Sequence, residues 1–391
     1  MPTSIPLSQR LKNIQPSPTL AVTAKAKKLK AEGKDIVNLA AGEPDFDTPD
    51  FIKEAARLAL DQGFTKYTPS TGIPELKELI SEKFRKDNGL EYRPAQIVVS
   101  CGAKHSIYNT LFVLVSPGDE VLIPKPYWVS YPQMVHLCQG IPRFIETSAD
   151  NSFKITPAAL EEQITPKTKV LILNSPSNPS ACVYTQEELK EIAGICVRRK
   201  IFVVSDEIYE KLVYDGLKHV SIAGEGAGIE EYAVTVNGVS KSYSMTGWRI
   251  GYLGAPEEIA KAIGKVQDHS TSNPNSIAQK AACAALRADE SFQVKVREEF
   301  QRRRDYVAGR LKSIDAIDCT EPRGAFYLFC GIAKTGMDST SFASRLLDDT
   351  YVSLIPGIGF GVDTCVRMSF ATSMERLEKG MDRLSDWIAK L

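Results

Sequence analysis

Lys241 sits among small and hydroxylic residues, Gly238-Val239-Ser240-Lys241-Ser242. They follow a short apolar run, Tyr232–Val236, patterned as a buried strand. A lysine at the end of a buried strand is placed for chemistry. Burial penalises its ammonium, so its pKa falls or it forms an imine with a carbonyl compound. Eight positions on, Arg249 carries a planar fork that suits a phosphate. On this window alone, a surface lysine in a strand-to-strand loop fits as well. Asp206 closes the apolar run Ile201–Val204, where a carboxylate either meets a cation or caps a helix. Arg367 lies on the apolar strand Cys365–Phe370 and needs an acid, either a structural carboxylate or that of a substrate. Trp128 follows the strand Val121–Ile123, placed to stack on a planar ligand or to fill core. Gly102-Ala103-Lys104 joins the strand Ile97–Ser100 to an apolar helix ending near Val115. That is either an anion cup of backbone N–H groups or an ordinary strand-to-helix turn.

The elements that must position these groups alternate strand and helix. Further strands are expected at Ile36–Leu39, Val170–Leu173 and Trp248–Leu253, the last carrying Arg249 near its start. Helical spacing marks Phe51–Asp61, Glu75–Arg85, Gln186–Arg198, Pro256–Asp268, Ser276–Leu286 and Phe292–Leu311. Thr48 or Asp50 is a candidate cap for the first of these, and Pro74 suits the first turn of the second. Arg302-Arg303-Arg304-Asp305 is expected on a solvated helix face. Gly42 follows the first strand where backbone must turn or come close to something. Tyr67 falls in a turn-rich loop, where polar aromatics serve binding more than core. Gly102–Lys104, Trp128, Asn178, Asp206 and Lys241 all stand at or just past the carboxyl end of an apolar run. Ligands of mostly parallel sheets bind along that edge.

Composition narrows the class. The 391 residues carry 48 basic and 48 acidic side chains, which argues against nucleic-acid or membrane-surface binding. No apolar run approaches the roughly 20 residues of a membrane helix, and the N-terminus lacks a signal-peptide core. The eight cysteines form no CxxC pair, so a metal site is not expected and free thiols in a reducing cytoplasm account for them. No GxGxxG turn follows the first strand, which disfavours a nicotinamide dehydrogenase. A ligand-sensing transcription regulator would need a DNA-binding domain and a basic patch that this chain has no room for.

The set on one sheet edge is a lysine, a carboxylate, a stacking ring, an amide, an anion cup and an arginine. Pyridoxal 5′-phosphate needs that set: a lysine for its aldehyde, a helix N-terminus and cation for its phosphate, and a carboxylate for its pyridinium nitrogen. Asn178 and Tyr209 are available to its phenolic oxygen.

The segments Ser-Lys241-Ser-Tyr-Ser-Met-Thr-Gly-Trp-Arg249-Ile-Gly-Tyr, Asn174-Ser-Pro-Ser-Asn178-Pro, Ser-Asp206-Glu-Ile-Tyr209, Ala-Gly42-Glu-Pro-Asp-Phe-Asp-Thr-Pro and Pro-Tyr-Trp128-Val-Ser-Tyr resemble the signatures of class I aminotransferases of fold type I. The likeness keeps their order and spans nearly the whole chain. It looks nearest to the bacterial-type aspartate aminotransferases, a group that includes aspartate/prephenate aminotransferases. The resemblance implies an α/β fold: a large domain, residues 46–295, with a mostly parallel seven-stranded sheet between helices, and a small α/β domain from residues 1–45 and 296–391. It implies a cytoplasmic, pyridoxal-phosphate-dependent enzyme that transfers the amino group of aspartate to 2-oxoglutarate by a ping-pong route. Lys241 would carry the cofactor and shuttle the proton, and Asp206 would pair with the pyridinium nitrogen. Tyr209 and Asn178 would hold the phenolic oxygen and Trp128 would stack on the ring. The backbone of Gly102, Ala103 and Lys104, with Arg249 and Ser240, would hold the phosphate. Arg367 would bind the substrate α-carboxylate, with Gly42, Trp128 and Asn178 lining that site. Tyr67 would reach the phosphate of a neighbouring subunit, making the active unit a homodimer with shared sites.

Two departures stand out. Animal-type members place a phosphate-binding serine where this chain has Gly238, leaving Ser240 or Ser242 as substitutes. No match exists for the arginine that reads the distal carboxylate in those enzymes; Lys104, Ser17 and Thr19 are the candidates. Prephenate-active members tend to carry a basic residue where Gln15 precedes Pro16-Ser17. Prephenate, alanine, aromatic or kynurenine transamination, or carbon–sulfur lysis, are the alternative activities on this fold, since fold does not fix substrate.

Overall fold

The computed structural model describes residues 8–14, 18–226 and 228–391. Gln15 and Ser17 lie outside the described residues, as does the side chain of Thr19. The strands are β1 (Val37–Asn38), β2 (Ile97–Ser100), β3 (Glu120–Pro124), β4 (Ile141–Ile145), β5 (Thr168–Asn174), β6 (Phe202–Asp206), β7 (Ala233–Gly238), β8 (Gly251–Gly254), β9 (Asp318–Cys319), β10 (Tyr327–Gly331), β11 (Val352–Ser353), β12 (Ile355–Pro356) and β13 (Cys365–Ser369). Seven of them form the central sheet in the order β2-β8-β7-β6-β5-β3-β4. Only β8 runs against its neighbours, so the sheet is mostly parallel as expected.

Side-chain alternation assigns each face of this sheet a core. Val99, Leu122, Leu171 and Val203 point to one cluster, covered by helices Asp50–Asp61, Gln186–Arg199 and Ser276–Arg287. Val98, Val121, Val170 and Val204 point to the other, covered by helices Ala103–Leu114, Ser130–Leu137 and Glu257–Asp268. Strands buried on both faces read as continuous apolar runs, which is why the sequence exposes them. Each fully buried Val, Leu or Ile contributes about 1.5–3 kcal/mol.

A second unit gathers from both ends of the chain. β1 pairs with β11 in parallel, and β12-β13-β10-β9 form an antiparallel sheet. Its core joins Val37 and Leu39 to Phe300, Phe342, Leu377 and Leu384.

Several local expectations need correction. Trp248–Leu253 is not one strand: Thr246–Trp248 is a single tight turn, Arg249 takes a left-handed φ of 55°, and β8 starts only at Gly251. β4 was hidden by Pro142; it is the edge strand, where a missing N–H costs no ladder bond. Thr48 caps no helix: its hydroxyl donates to the Ser244 carbonyl and accepts from the Trp248 indole. Arg302 does face solvent, but Arg303 and Arg304 are buried. Arg303 pairs with Asp45 and Glu299, and Arg304 grips Asp215 through both arms at 2.7 and 2.6 Å. Pro74 opens its helix as expected.

Candidate active site

The carboxyl ends of β5, β6 and β7 open into a cavity of about 530 Å³. Gly42, Ala103, Lys104, Trp128, Asn178 and Asp206 line it, together with Tyr209, Ser240, Lys241, Arg249 and Arg367. The strand-end placement read from the sequence therefore converges in space. Two predicted residues are not on its lining: Gly102, which stands just before Ala103, and Tyr67, which is 92% exposed in this chain.

Lys241 follows β7, and its Nζ donates to the Gly42 carbonyl at 2.6 Å. The ammonium also lies over the rings of Tyr209 and Phe326, at 5.7 and 5.6 Å. Desolvation lowers its pKa to about 8; Glu43 opposes the shift, and Arg367 and Arg249 add to it. The group is thus a nucleophile near neutrality, which a solvated lysine is not.

Asp206 ends β6 and does not cap a helix. Its Oδ2 accepts from the Tyr131 phenol at 2.7 Å and its Oδ1 from the Ile208 backbone N–H at 3.3 Å. Burial pushes the carboxyl up to about 6, against the lowering pull of those two bonds. A buried carboxylate so placed still wants a cation.

Gly102 stands before the helix Ala103–Leu114 with φ of 91° and caps it with no side chain. The first N–H groups of that helix have no intrahelical acceptor. A Cβ on Gly102 would fall 2.5 Å from Nη2 of Arg249, and one on Gly251 only 2.1 Å from the Ala103 nitrogen. Both glycines are therefore needed for the helix end, the arginine and β8 to meet. The left-handed Arg249 turns its guanidinium to the Thr246 and Cys101 carbonyls, beside the free helix end. The result is a cradle for a dianion. At Gly238 a Cβ would lie 3.1 Å from the Ile250 carbonyl oxygen, so a serine fits poorly there. Ser240 lines the cavity instead, while Ser242 bonds back to the Gly238 carbonyl.

Arg367 on β13 is 4% exposed. Its Nη1 donates to Oδ1 of Asn178 at 2.9 Å and its Nη2 to the Ala40 carbonyl at 3.0 Å. Its Nε has no partner, and among the described residues no carboxylate pairs with it. Tyr327 supports it from one side, with the guanidinium 4.3 Å from the ring centre. Lys104 stands elsewhere on the wall, 4.8 Å over the Trp128 ring, with its pKa lowered by burial and by Arg249.

Sequence reasoning missed Tyr131 and Tyr327. Tyr131 sits in the first turn of the unanticipated helix Ser130–Leu137. Tyr327 opens β10 and shares a 2.9 Å hydroxyl–hydroxyl bond with Tyr209. Asn174 holds the loop that carries Asn178: its Nδ2 donates to the Asp206 and Pro176 carbonyls, and its Oδ1 accepts from the Asn178 N–H.

Comparison with known proteins agrees with this geometry. Residues 34–384 match the family model for aminotransferase class I and II. An aspartate aminotransferase of Geobacillus stearothermophilus is 49% identical, over 97% of this chain and 98% of that protein. An aspartate/prephenate aminotransferase of Cereibacter sphaeroides is 46% identical over 98% and 99%. The crystal structure of the aspartate aminotransferase from Rhizobium meliloti superposes with a TM-score of 0.96 at 42% identity, covering 99% of this chain and 100% of that one. The Thermus thermophilus aspartate aminotransferase solved with maleate gives 0.94 at 43%, covering 98% and 99%. With a mostly parallel seven-stranded sheet between helices, and with its lysine, carboxylate and arginine around one cavity, the chain is a fold type I enzyme and belongs to the class I and II aminotransferases.

Proposed function

We propose that this chain is a pyridoxal 5′-phosphate-dependent aspartate aminotransferase, moving the amino group of L-aspartate to 2-oxoglutarate to give oxaloacetate and L-glutamate. The observation that carries the reading is Arg367, a buried guanidinium with an orphan Nε and no acid partner among the described residues, in the cavity that also holds Lys241 and Asp206. Such a group waits for a carboxylate from outside the chain.

The residues fit the cofactor. The backbone of Gly102, Ala103 and Lys104, with the side chains of Ser240 and Arg249, would take its phosphate, and Trp128 its ring face. Asp206, held by Tyr131, would keep a proton on the ring nitrogen. Tyr209 and the amide NH2 of Asn178 would take the phenolic oxygen; Asn178 spends its carbonyl on Arg367. When bound, the cofactor supplies an electron sink for charge developing at the substrate α-carbon. Arg367 fixes the α-carboxylate and hence the orientation of the α-carbon. The Lys241 amine, pushed down to about 8, takes the α-proton and returns it. Lys104 is the described candidate for the distal carboxylate. The maleate in the Thermus thermophilus neighbour is a dicarboxylate of the expected kind.

A homodimer with shared sites is part of the proposal. Tyr67 projects fully from this chain, and Phe51 and Leu58, seven residues apart on one helix, leave an apolar face at 43% and 56% exposure. A second copy would cover that face and receive Tyr67. The cytoplasm is the compartment proposed: all eight cysteines are free, and no helix among the described residues is long and apolar enough to cross a membrane.

Single-turnover spectra against aspartate, glutamate, alanine and phenylalanine test the substrate class. Aspartate and glutamate should convert the cofactor at least about tenfold faster than the others, because only they offer Lys104 a second carboxylate. Faster turnover of alanine or phenylalanine would overturn the assignment. Oxaloacetate and prephenate as acceptors decide the second reading, prephenate transamination, which the Cereibacter sphaeroides relative favours.

A further inference from the structure

Cys319 on β9 and Cys330 on β10 stand directly opposite one another in the antiparallel register. Their sulfurs are 3.6 Å apart. Directly opposed residues of antiparallel strands keep their Cα atoms about 4.5–5.5 Å apart. A disulfide spans roughly 4.4–6.8 Å between Cα atoms. The sulfurs can therefore join without any change of register. Both are free thiols, and among the described residues no other two cysteines share a sulfur–sulfur hydrogen bond.

The two thiols are not equivalent. Cys330 is 1% exposed, and its S–H points at the Cys319 sulfur. Cys319 is half-buried on the edge strand, with its own S–H turned to the Thr320 carbonyl at 3.5 Å. One thiol reaches the surface and the other is buried beside it, within 3.6 Å of its sulfur. Neither lines the active-site cavity.

We propose that Cys319 and Cys330 form a two-electron redox modification site whose reagent is a small linear disulfide, such as oxidised glutathione. The Cys319 thiol gives up its proton and its thiolate attacks one sulfur of the reagent. The reagent's S–S bond breaks, and one small thiolate leaves and takes up that proton. Cys330 then loses its proton and attacks the Cys319 sulfur of the mixed disulfide. The second small thiolate leaves with that proton, and an intramolecular disulfide remains. Two protein thiols are oxidised and one small disulfide is reduced to two thiols. The bond staples the edge strand β9 to β10, whose other neighbour, β13, carries Arg367 opposite Phe329. It stiffens the sheet behind the substrate-facing arginine without entering the cavity. The proposal does not depend on which amino acid the enzyme uses.

The test is oxidised glutathione added to the cofactor-loaded protein, followed by alkylation, digestion and mass spectrometry. The expected product is one peptide pair joined through Cys319 and Cys330, with loss of two titratable thiols, a higher melting temperature, unchanged turnover, and reversal by dithiothreitol. Cys330→Ser should stop at a glutathione adduct on Cys319, and Cys319→Ser should give neither adduct nor link at Cys330. The proposal is overturned if the wild type retains the adduct on Cys319 unresolved, if Cys319 stays unmodified while half-buried Cys101 reacts, or if Cys330 reacts first. The wild-type peptide map decides the matter even if a variant folds poorly.

Discussion

The Tyr131 phenol donates a 2.7 Å hydrogen bond to Oδ2 of Asp206, the carboxylate assigned to the cofactor's ring nitrogen. The bond runs between the helix after β3 and the end of β6, so it orients the carboxyl from outside its own strand. It also favours the ionised form in a site where burial favours the neutral one. Tyr131→Phe leaves only the long bond from the Ile208 N–H. A hydrogen bond to a charged group is worth about 1.5–3 kcal/mol. kcat/KM should fall about tenfold to a hundredfold. Initial-rate kinetics check this, with far-UV circular dichroism to show that the fold persists; an unchanged rate would remove Tyr131 from the site.

Asp206 should also cost the cofactor-free protein stability. Its carboxyl titrates near 6 in the fold and near 3.8 when solvated. Between those values the folded state holds a proton that the unfolded state has released, so stability falls as pH rises from about 4 to about 6 and stays low above. Asp206→Asn cannot ionise. At about pH 7 the cofactor-free variant should therefore be more stable than wild type, by up to about 3 kcal/mol. At about pH 5 the gain should roughly halve. Urea melts at the two pH values measure it, and a gain that grows on acidification would contradict the sign.

Lys241 carries the opposite kind of shift. Burial brings its amine down to about 8. The neutral, nucleophilic form therefore accumulates as pH rises through 8, not through the value of a free lysine. The rate of reconstitution of the cofactor-free protein with pyridoxal phosphate, followed by visible absorbance, should rise with a midpoint near 8. Lys241→Ala should show neither that absorbance nor more than residual turnover.

What the sequence could and could not disclose follows from how far each group's partners lie along the chain. Lys241, Asp206, Asn178 and Gly102 were legible because each ends or follows a strand whose burial leaves a continuous apolar run. Arg249 was legible as a cation but not as a left-handed residue, because the Gly102–Arg249–Gly251 contact that demands that backbone is tertiary. Tyr131 and Tyr327 gave no local signal. Each hydroxyl finds its partner 75 and 118 residues away, and an isolated tyrosine in an apolar stretch reads as core. Arg303 and Arg304 were misplaced for the same reason: Asp45 and Asp215 arrive from 258 and 89 residues away.

The buried Arg304 gives a stability prediction separate from catalysis. Its guanidinium meets Asp215 bidentately, bonds Asp305 and the Pro322 carbonyl, and lies 5.1 Å over the Tyr214 ring. Arg304→Ala removes the cation and leaves both acids and the carbonyl without it. Asp215 and Asp305 reach solvent and Asp215 keeps Arg323, so the cost is that of the lost charge-assisted bonds, about 1.5–3 kcal/mol. Chemical denaturation should show a loss of that order, whereas Arg302→Ala, on the solvated side of the same helix, should change stability by less than about 0.5 kcal/mol.

Arg367 and Lys104 should divide the substrate between them. Arg367 keeps its Nε free and its fork fixed by Asn178 and Ala40, so it takes the group common to all amino acids, the α-carboxylate. Arg367→Lys keeps a charge but not the fork, and should lower kcat/KM for aspartate and alanine alike, by about a hundredfold for a loss near 3 kcal/mol. Lys104 is a point charge on a flexible stem over Trp128, suited to a second carboxylate whose distance varies between aspartate and glutamate. Lys104→Ser should raise KM for the two dicarboxylates while leaving alanine and phenylalanine nearly unchanged. Loss of alanine turnover to the same degree as aspartate would assign Lys104 to the cofactor phosphate alone, since a phosphate ligand serves every substrate equally.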